Sequence, residues 1–345
     1  MNGTYPKFTA DCSSLLCRYL TPQIFTELSE KVTANGYTFL QAINSGVVNQ
    51  DSGVGVYAGD AESYSLFAPL FDPIICAYHG LDTGSNHPRD LSASHFEISN
   101  PDPTAKYILS TRIRVGRNLA EMPLGPALSS SQRLKIESCV AHALTNLSDE
   151  LKGCYYPLAG MSDQVRDQLI ADHFLFKTGD RFLDAAGLNR DWPDGRGIYH
   201  NDAKTFLVWV NEEDQLRIIS MQPGGDINAV FTRLISAIKQ LEKTLTFSFD
   251  DRLGYLTSCP TNLGTALRAS VHIHLPKLGN NMSLFNEITT KHHLQIRGVD
   301  GEHSVSDSGI FDVSNKRRLG VTEVECINDL YGGVVELIQR EEELS

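Results

Sequence analysis

Two short apolar runs separated by four polar residues do most to fix the fold class of this chain. Residues 205–210 (Thr-Phe-Leu-Val-Trp-Val) and 215–222 (Gln-Leu-Arg-Ile-Ile-Ser-Met-Gln) have the β-branched and aromatic content of strands. The acidic Asn211-Glu-Glu-Asp214 between them reads as a tight reversal, so the pair predicts an antiparallel hairpin. Residues 107–115 alternate in the same way, and 267–275 form an alternating strand after a Pro/Asn/Gly turn. Helical periodicity occupies 131–147, 226–245 and 322–343. Strands joined by hairpins and interspersed with helices predict an α+β fold, a mostly antiparallel sheet flanked by helices.

The first hundred residues are patterned differently. Leu20, Ile24, Phe25 and Leu28 fall at helical spacing within 16–32, and shorter helices are expected at 37–43 and 62–70. A glycine-rich turn, Ser52-Gly-Val-Gly-Val-Tyr57, lies between the last two. Residues 79–100 are rich in Gly, Ser, Pro, Asp and His without periodicity, as in a linker. The expected organisation is a helical N-terminal unit over 1–85, a linker over 86–100 and a larger unit over 101–345.

Composition excludes several function classes. A formal net charge of −12 argues against a general nucleic-acid surface. No apolar run has the length of a membrane span, and the N-terminus lacks the pattern of a secretion signal. The 7 cysteines are odd in number and include no Cys-x-x-Cys pair, which reads as free thiols in a reducing cytosol and a cytoplasmic location.

Cys259 stands in the turn Tyr255-Leu-Thr-Ser-Cys-Pro-Thr-Asn-Leu-Gly-Thr265, shortly before Arg268. A thiol in a turn with cations nearby has its pKa lowered, so a thiolate is expected. There is no Walker-type Gly-x-x-x-x-Gly-Lys-Ser/Thr and no protein-kinase signature, so a bound nucleotide would have to be held by arginines. Arg112 and Arg114 alternate on one predicted strand and share a face; Arg217, Arg268 and Arg297 lie in or beside other apolar strands. Guanidinium forks match phosphate oxygens, and a buried unpaired charge is costly enough to call for a ligand. Acidic candidates are the hairpin-turn residues, Glu213 among them, and Glu302 within the polar, glycine-bounded segment 298–309, which has the make-up of either a floppy surface loop or a lid over a site. His272 and His274 share a strand face, but a metal needs a third ligand nearby.

These motifs resemble those of the phosphagen (ATP:guanidino) kinases. Besides the cysteine string, the resemblance rests on Ser110-Thr-Arg-Ile-Arg-Val-Gly-Arg117, Asp172-His-Phe-Leu-Phe176, Gly195-Arg-Gly-Ile198, residues 201–214 and Asn315-Lys-Arg-Arg-Leu-Gly320. Within the family, residues 49–58, residues 63–75 and Tyr78-His-Gly80 look most like the arginine-type members. Gly59 departs from their usual proline, and Ser258 from a common phenylalanine.

The resemblance implies a small helical domain followed by a catalytic α/β domain, and reversible transfer of the ATP γ-phosphoryl group to a guanidino nitrogen, with Mg²⁺ carried on ATP or ADP. Arg112, Arg114, Arg217, Arg268 and Arg297 would hold the nucleotide phosphates, and His173 would lie near the adenosine. Glu213 and Glu302 would grip the guanidinium, with Cys259 as a thiolate completing a negative cradle. Ser52, Gly53, Val54 and Tyr57 would cap the far end of the acceptor. That acceptor is L-arginine, with taurocyamine or lombricine as alternatives. The implied partners are this small molecule and ATP/ADP, with no nucleic acid and no membrane, in a monomer or homodimer. Different chemistry is represented by an ATP-independent cysteine-nucleophile enzyme acting on guanidines, by a protein-arginine kinase and by a non-catalytic binding protein.

Overall fold

The computed structural model describes residues 3–81, 86–90, 98–298 and 309–344. Glu302 and most of the segment 298–309 therefore lie outside the described residues, as do 82–85 and 91–97 of the expected linker.

The N-terminal unit consists of α1 (Leu15–Tyr19), α2 (Pro22–Leu28), α3 (Phe39–Val48), α4 (Ser63–Leu66) and α5 (Ala68–His79). The single helix expected over 16–32 is instead two. Leu20 is extended, and Thr21 caps a new helix with Pro22 in the first turn, where its missing N–H is harmless. Thr38 and Gln41 form a reciprocal capping box that starts α3. The last helix runs to His79, well past the expected limit of 70.

The remainder is built on an eight-stranded sheet of order β2-β3-β4-β5-β1-β8-β10-β9. Its strands are β1 (Ile108–Arg117), β2 (Gly153–Pro157), β3 (Gly197–Asn201), β4 (Phe206–Val210), β5 (Leu216–Pro223), β8 (Leu267–His274), β9 (Leu294–Gly298) and β10 (Ile310–Asn315). Every neighbouring pair is antiparallel. A separate two-stranded ribbon joins β6 (Phe249–Asp250) to β7 (Gly254–Tyr255). The expected hairpin is present as β4 and β5, and the α+β expectation holds.

Helices α6 (Ser130–Leu144), α7 (Asp163–Ala171), α8 (Arg181–Ala185), α9 (Ile227–Leu241), α10 (Pro276–Gly279), α11 (Met282–Lys291) and α12 (Glu323–Glu343) complete the fold. The long α9 packs on β5 and β1, and α12 on β8 and β10. Ile113 and Val115 of β1 point into this helix-covered core with Ile218, Val271 and Val313. Strand alternation then sends Arg112 and Arg114 to the other face.

The helical unit is seated on the turn that carries Cys259 rather than apart from it. Leu253, Leu256, Leu263 and Leu319 join its apolar core. Residues 86–90 of the expected linker are anchored too: the His87 amide donates to the Asp251 carbonyl (2.7 Å) and Arg89 pairs with Glu242 (2.6 Å).

Candidate active site

The face of strands β5, β1 and β8 turned away from α9 and α12 carries a cluster of guanidinium groups. Arg114 stands directly opposite Arg268 across β1 and β8, while Arg217 on β5 is opposite Gly116. Like charges in such positions repel, so the arrangement calls for an anion. Burial, then Arg217 and Arg268, bring Arg112 down to about 10; burial, then Arg217 and Arg112, put Arg114 well below its ordinary value. Neither side chain makes a hydrogen bond to a protein group among the described residues. Arg112 has aromatic support: the Trp209 ring lies 5.5 Å from its guanidinium and 5.3 Å from that of Arg217. The indole is itself fixed, its Nε1 donating to the Phe174 carbonyl at 2.7 Å. His173, exposed and with φ +60°, is the residue just before this anchor.

The other arginines are tethered. Arg217 grips Glu212 with two nitrogens (2.9 and 3.1 Å) and reaches Glu213 at 3.1 Å. Arg268 donates to Asp312 at 2.7 Å and to Ser314 at 3.3 Å. Against the upward pull of burial, the nearby His272 and the hydrogen-bonded Arg268 hold Asp312 below the usual carboxylate range. Arg297 is paired in register with Asp312 on the edge strand β9, beyond the small cavity that Arg114, Arg217 and Arg268 share. Arg318 lines that cavity as well. It is buried, and donates to the Thr261 carbonyl (2.7 Å) and to Asn262 Oδ1 (3.2 Å). Sequence reasoning gave it no role, although it stands inside a quoted motif.

A carboxylate and a thiol adjoin the arginines. Glu213 reaches Arg217 and receives a long hydrogen bond from Asn262 Nδ2 at 3.4 Å. Burial and the neighbouring Asp214, offset in part by Arg217, push it up to about 7. Ser258 fixes this turn from behind, its hydroxyl donating to the Glu213 carbonyl (3.0 Å) and its amide to Asp214 Oδ1 (2.8 Å).

Cys259 corrects the expectation of a thiolate. Burial and the Glu213 carboxylate push its thiol up to about 12, against a smaller opposing pull from Thr261, 3.2 Å away. The cation next in sequence, Arg268, is occupied by Asp312, so the groups acting on the sulfur are carboxylates. These surroundings favour the thiol form of Cys259 over the thiolate.

The glycine-rich loop approaches the same end through Tyr57, which packs with Cys259, Ala186 and Leu188. Burial, then Cys259 and Glu213, raise the Tyr57 phenol. In the loop, the Gly53 and Val54 carbonyls accept from the Leu15 and Leu16 amides at 3.0 and 2.9 Å. The amides of Gly53, Val54 and Gly55 make no hydrogen bond among the described residues, and the buried Ser52 hydroxyl lacks a partner. Gly55 has φ +85°, and a Cβ there would sit 2.9 Å from Leu16 Cβ. Where a proline would bring bulk, Gly59 instead has the Tyr37 ring packed against its Cα.

Among the described residues no three His, Cys, Asp or Glu side chains are grouped to hold a metal. His272 and His274 share the arginine face, and His272 is 3.8 Å from Asp312. Glu212 is held by Arg217, and Asp214 by Asn118 and Ser258. These carboxylates suit a cation carried on phosphate oxygens and water better than one caged by the protein.

The chain matches the family model of the ATP:guanido phosphotransferase C-terminal catalytic domain over residues 135–344, and that of the N-terminal domain over 10–76. It is 55% identical over 335 residues to arginine kinase Lit v 2 of Penaeus vannamei, covering 97% of this chain and 94% of that one. It is 54% identical over 333 residues to the arginine kinase of Artemia franciscana, covering 96% and 94% respectively. Among solved structures, lombricine kinase superposes with a TM-score of 0.90 at 39% identity, over 99% of this chain and 95% of that one. The duplicated taurocyamine kinase from Schistosoma mansoni, bound to transition-state-analogue components, superposes with a TM-score of 0.89 at 43% identity over 95% of this chain. This chain spans 46% of that duplicated protein. The chain therefore belongs to the ATP:guanido phosphotransferase family and is a phosphagen kinase, an enzyme that transfers phosphoryl groups.

Proposed function

We propose that the enzyme is an arginine kinase, moving the γ-phosphoryl group of Mg-ATP reversibly onto a guanidino nitrogen of L-arginine and so buffering ATP. The observation carrying the acceptor is the loop 52–55. Its three amides without a partner among the described residues suit a carboxylate, and Tyr57 ties the loop to Glu213 and Cys259.

Arg112 and Arg114, which make no side-chain hydrogen bonds among the described residues, receive phosphate oxygens, joined by Arg217, Arg268 and Arg297. His173 faces the adenosine. Mg²⁺, delivered with ATP as part of the substrate, would neutralise part of the phosphate charge. Glu213 aligns the guanidinium at the γ-phosphorus and takes its proton as the N–P bond forms and the bond to the ADP oxygen breaks. Its value of about 7 is matched to that task near neutrality. Glu302 is assigned the second grip on the guanidinium. The arriving cation stabilises negative charge on Cys259, so the sulfur becomes a thiolate only with substrate present. Catalysis is then positioning plus electrostatics.

We assign the helical domain to 1–85, the connector to 86–100 and the catalytic domain to 101–345, and place the enzyme in the cytoplasm as a monomer or homodimer. Taurocyamine is the second reading, supported by the likeness to the Schistosoma mansoni enzyme. The test is ADP release from Mg-ATP with L-arginine, taurocyamine, lombricine, creatine, glycocyamine or no acceptor. Strong turnover with L-arginine is expected. Preference for taurocyamine would overturn the acceptor while leaving the chemistry intact.

A further inference from the structure

A second cleft, about 360 Å³ in volume, lies between α3 and the segment that follows α8. It is large enough for a small organic ligand. Leu40, Pro126 and Ala186 give it an apolar lining, and Gln41, Asn44 and Arg190 give it polar groups. Arg190 is exposed and held rigidly: its Nε donates to the Gly187 carbonyl (2.8 Å), and one Nη donates to the Pro126 and Leu128 carbonyls (2.7 and 2.9 Å). Its other Nη makes no hydrogen bond among the described residues. The same is true of Gln41 Nε2 and Asn44 Oδ1, although their partner atoms are bonded to Thr38 and Ala185.

The cleft backs directly onto the guanidine site. Ala186 lines it and also packs with Tyr57, Leu188 and Cys259. Tyr37, another lining residue, donates its phenol to the Tyr57 carbonyl at 3.2 Å. The turn beside Pro126 is equally thin, because a Cβ at Gly125 would fall 3.0 Å from the Glu213 carbonyl.

We propose that this cleft is a regulatory site for a small amphipathic carboxylate, whose apolar body rests on Leu40, Pro126 and Ala186 and whose carboxylate pairs with Arg190. Occupancy presses on Tyr57 and Ala186 and so changes affinity for the guanidino acceptor, whichever acceptor that is. The site is separate from the loop 52–55, and its ligand does not compete with the acceptor.

Phenylacetate is the probe, titrated into the substrate-free enzyme by calorimetry, so the outcome does not depend on the acceptor assignment. Binding to one site per chain is expected, with phenylacetamide about tenfold weaker for want of the charge-assisted pair. Leu40→Trp, or Ala185→Phe should that variant fold poorly, fills the cleft and abolishes binding. In turnover assays phenylacetate shifts the acceptor KM by about fivefold in the natural enzyme and not in the filled variant. Absence of binding, equal binding of the amide, retention by the folded filled variants, or mutual displacement with the acceptor would each overturn the proposal.

Discussion

Glu213→Gln separates activity from stability in a way that tests the electrostatics of the site. The carboxylate is buried beside Asp214, and its pKa rises from the ordinary 4.5 to about 7. A carboxyl whose folded pKa is raised binds more protons folded than unfolded, so stability falls as pH rises from about 4.5 to about 7. The difference amounts to roughly 3 kcal/mol of destabilisation above that window. Glutamine keeps an acceptor for Arg217 and removes the charge, so the variant should gain up to about 3 kcal/mol at pH 8 and little at pH 4. Activity moves the other way. Loss of the aligning base should lower kcat by about 10²–10⁴, and the fall in kcat/KM of the natural enzyme below pH 7 should vanish. The assays are urea melts of the ligand-free protein from pH 4 to pH 8, paired with pH profiles of ADP release. A variant that is less stable at pH 8, or that keeps the same acid limb, would refute a desolvated carboxylate at this position.

Three further outcomes are expected. In the ligand-free enzyme, alkylation of Cys259 by iodoacetamide, read by peptide mass, should still accelerate above pH 9; a plateau near pH 7 would mean a resident thiolate, and Cys259→Ser should keep measurable transfer. Arg114→Gln relieves repulsion with Arg268 and Arg217, so the ligand-free protein should melt no earlier, while turnover drops by about 10³ or more; an unaffected rate would remove Arg114 from the phosphate cradle. Gly55→Ala forces a side chain onto a left-handed backbone 2.9 Å from Leu16 Cβ. It should cost about 1–3 kcal/mol in a denaturant melt and raise the acceptor KM more than that of ATP.

Legibility in the sequence followed the range of the physics involved. The Arg112/Arg114 face was readable because strand alternation is strictly local. The β4–β5 hairpin was readable because its two strands are joined by a short polar turn. Strands β2 and β3 are not legible: β2 buries no residue fully and β3 is buried almost throughout, so neither carries an apolar–polar alternation in its sequence. The charge state of Cys259 was misread for a deeper reason. Arg268 is its neighbour along the chain, but the β4–β5 turn brings Glu213 beside it in space, and no local pattern encodes that approach. Arg318 was missed because its cavity forms only when β1, β5 and β8 meet the turn after Cys259.

The central claim, transfer to a guanidine whose carboxylate is capped by the loop 52–55, is tested most directly by ³¹P NMR of Mg-ATP incubated with L-arginine or agmatine. Agmatine keeps the guanidine and lacks the carboxylate. A phosphoramidate resonance should grow as γ-phosphate is lost with L-arginine, with little or none from agmatine. Equal signals from both would contradict the role given to the loop, and no phosphoramidate from either would contradict L-arginine as the acceptor.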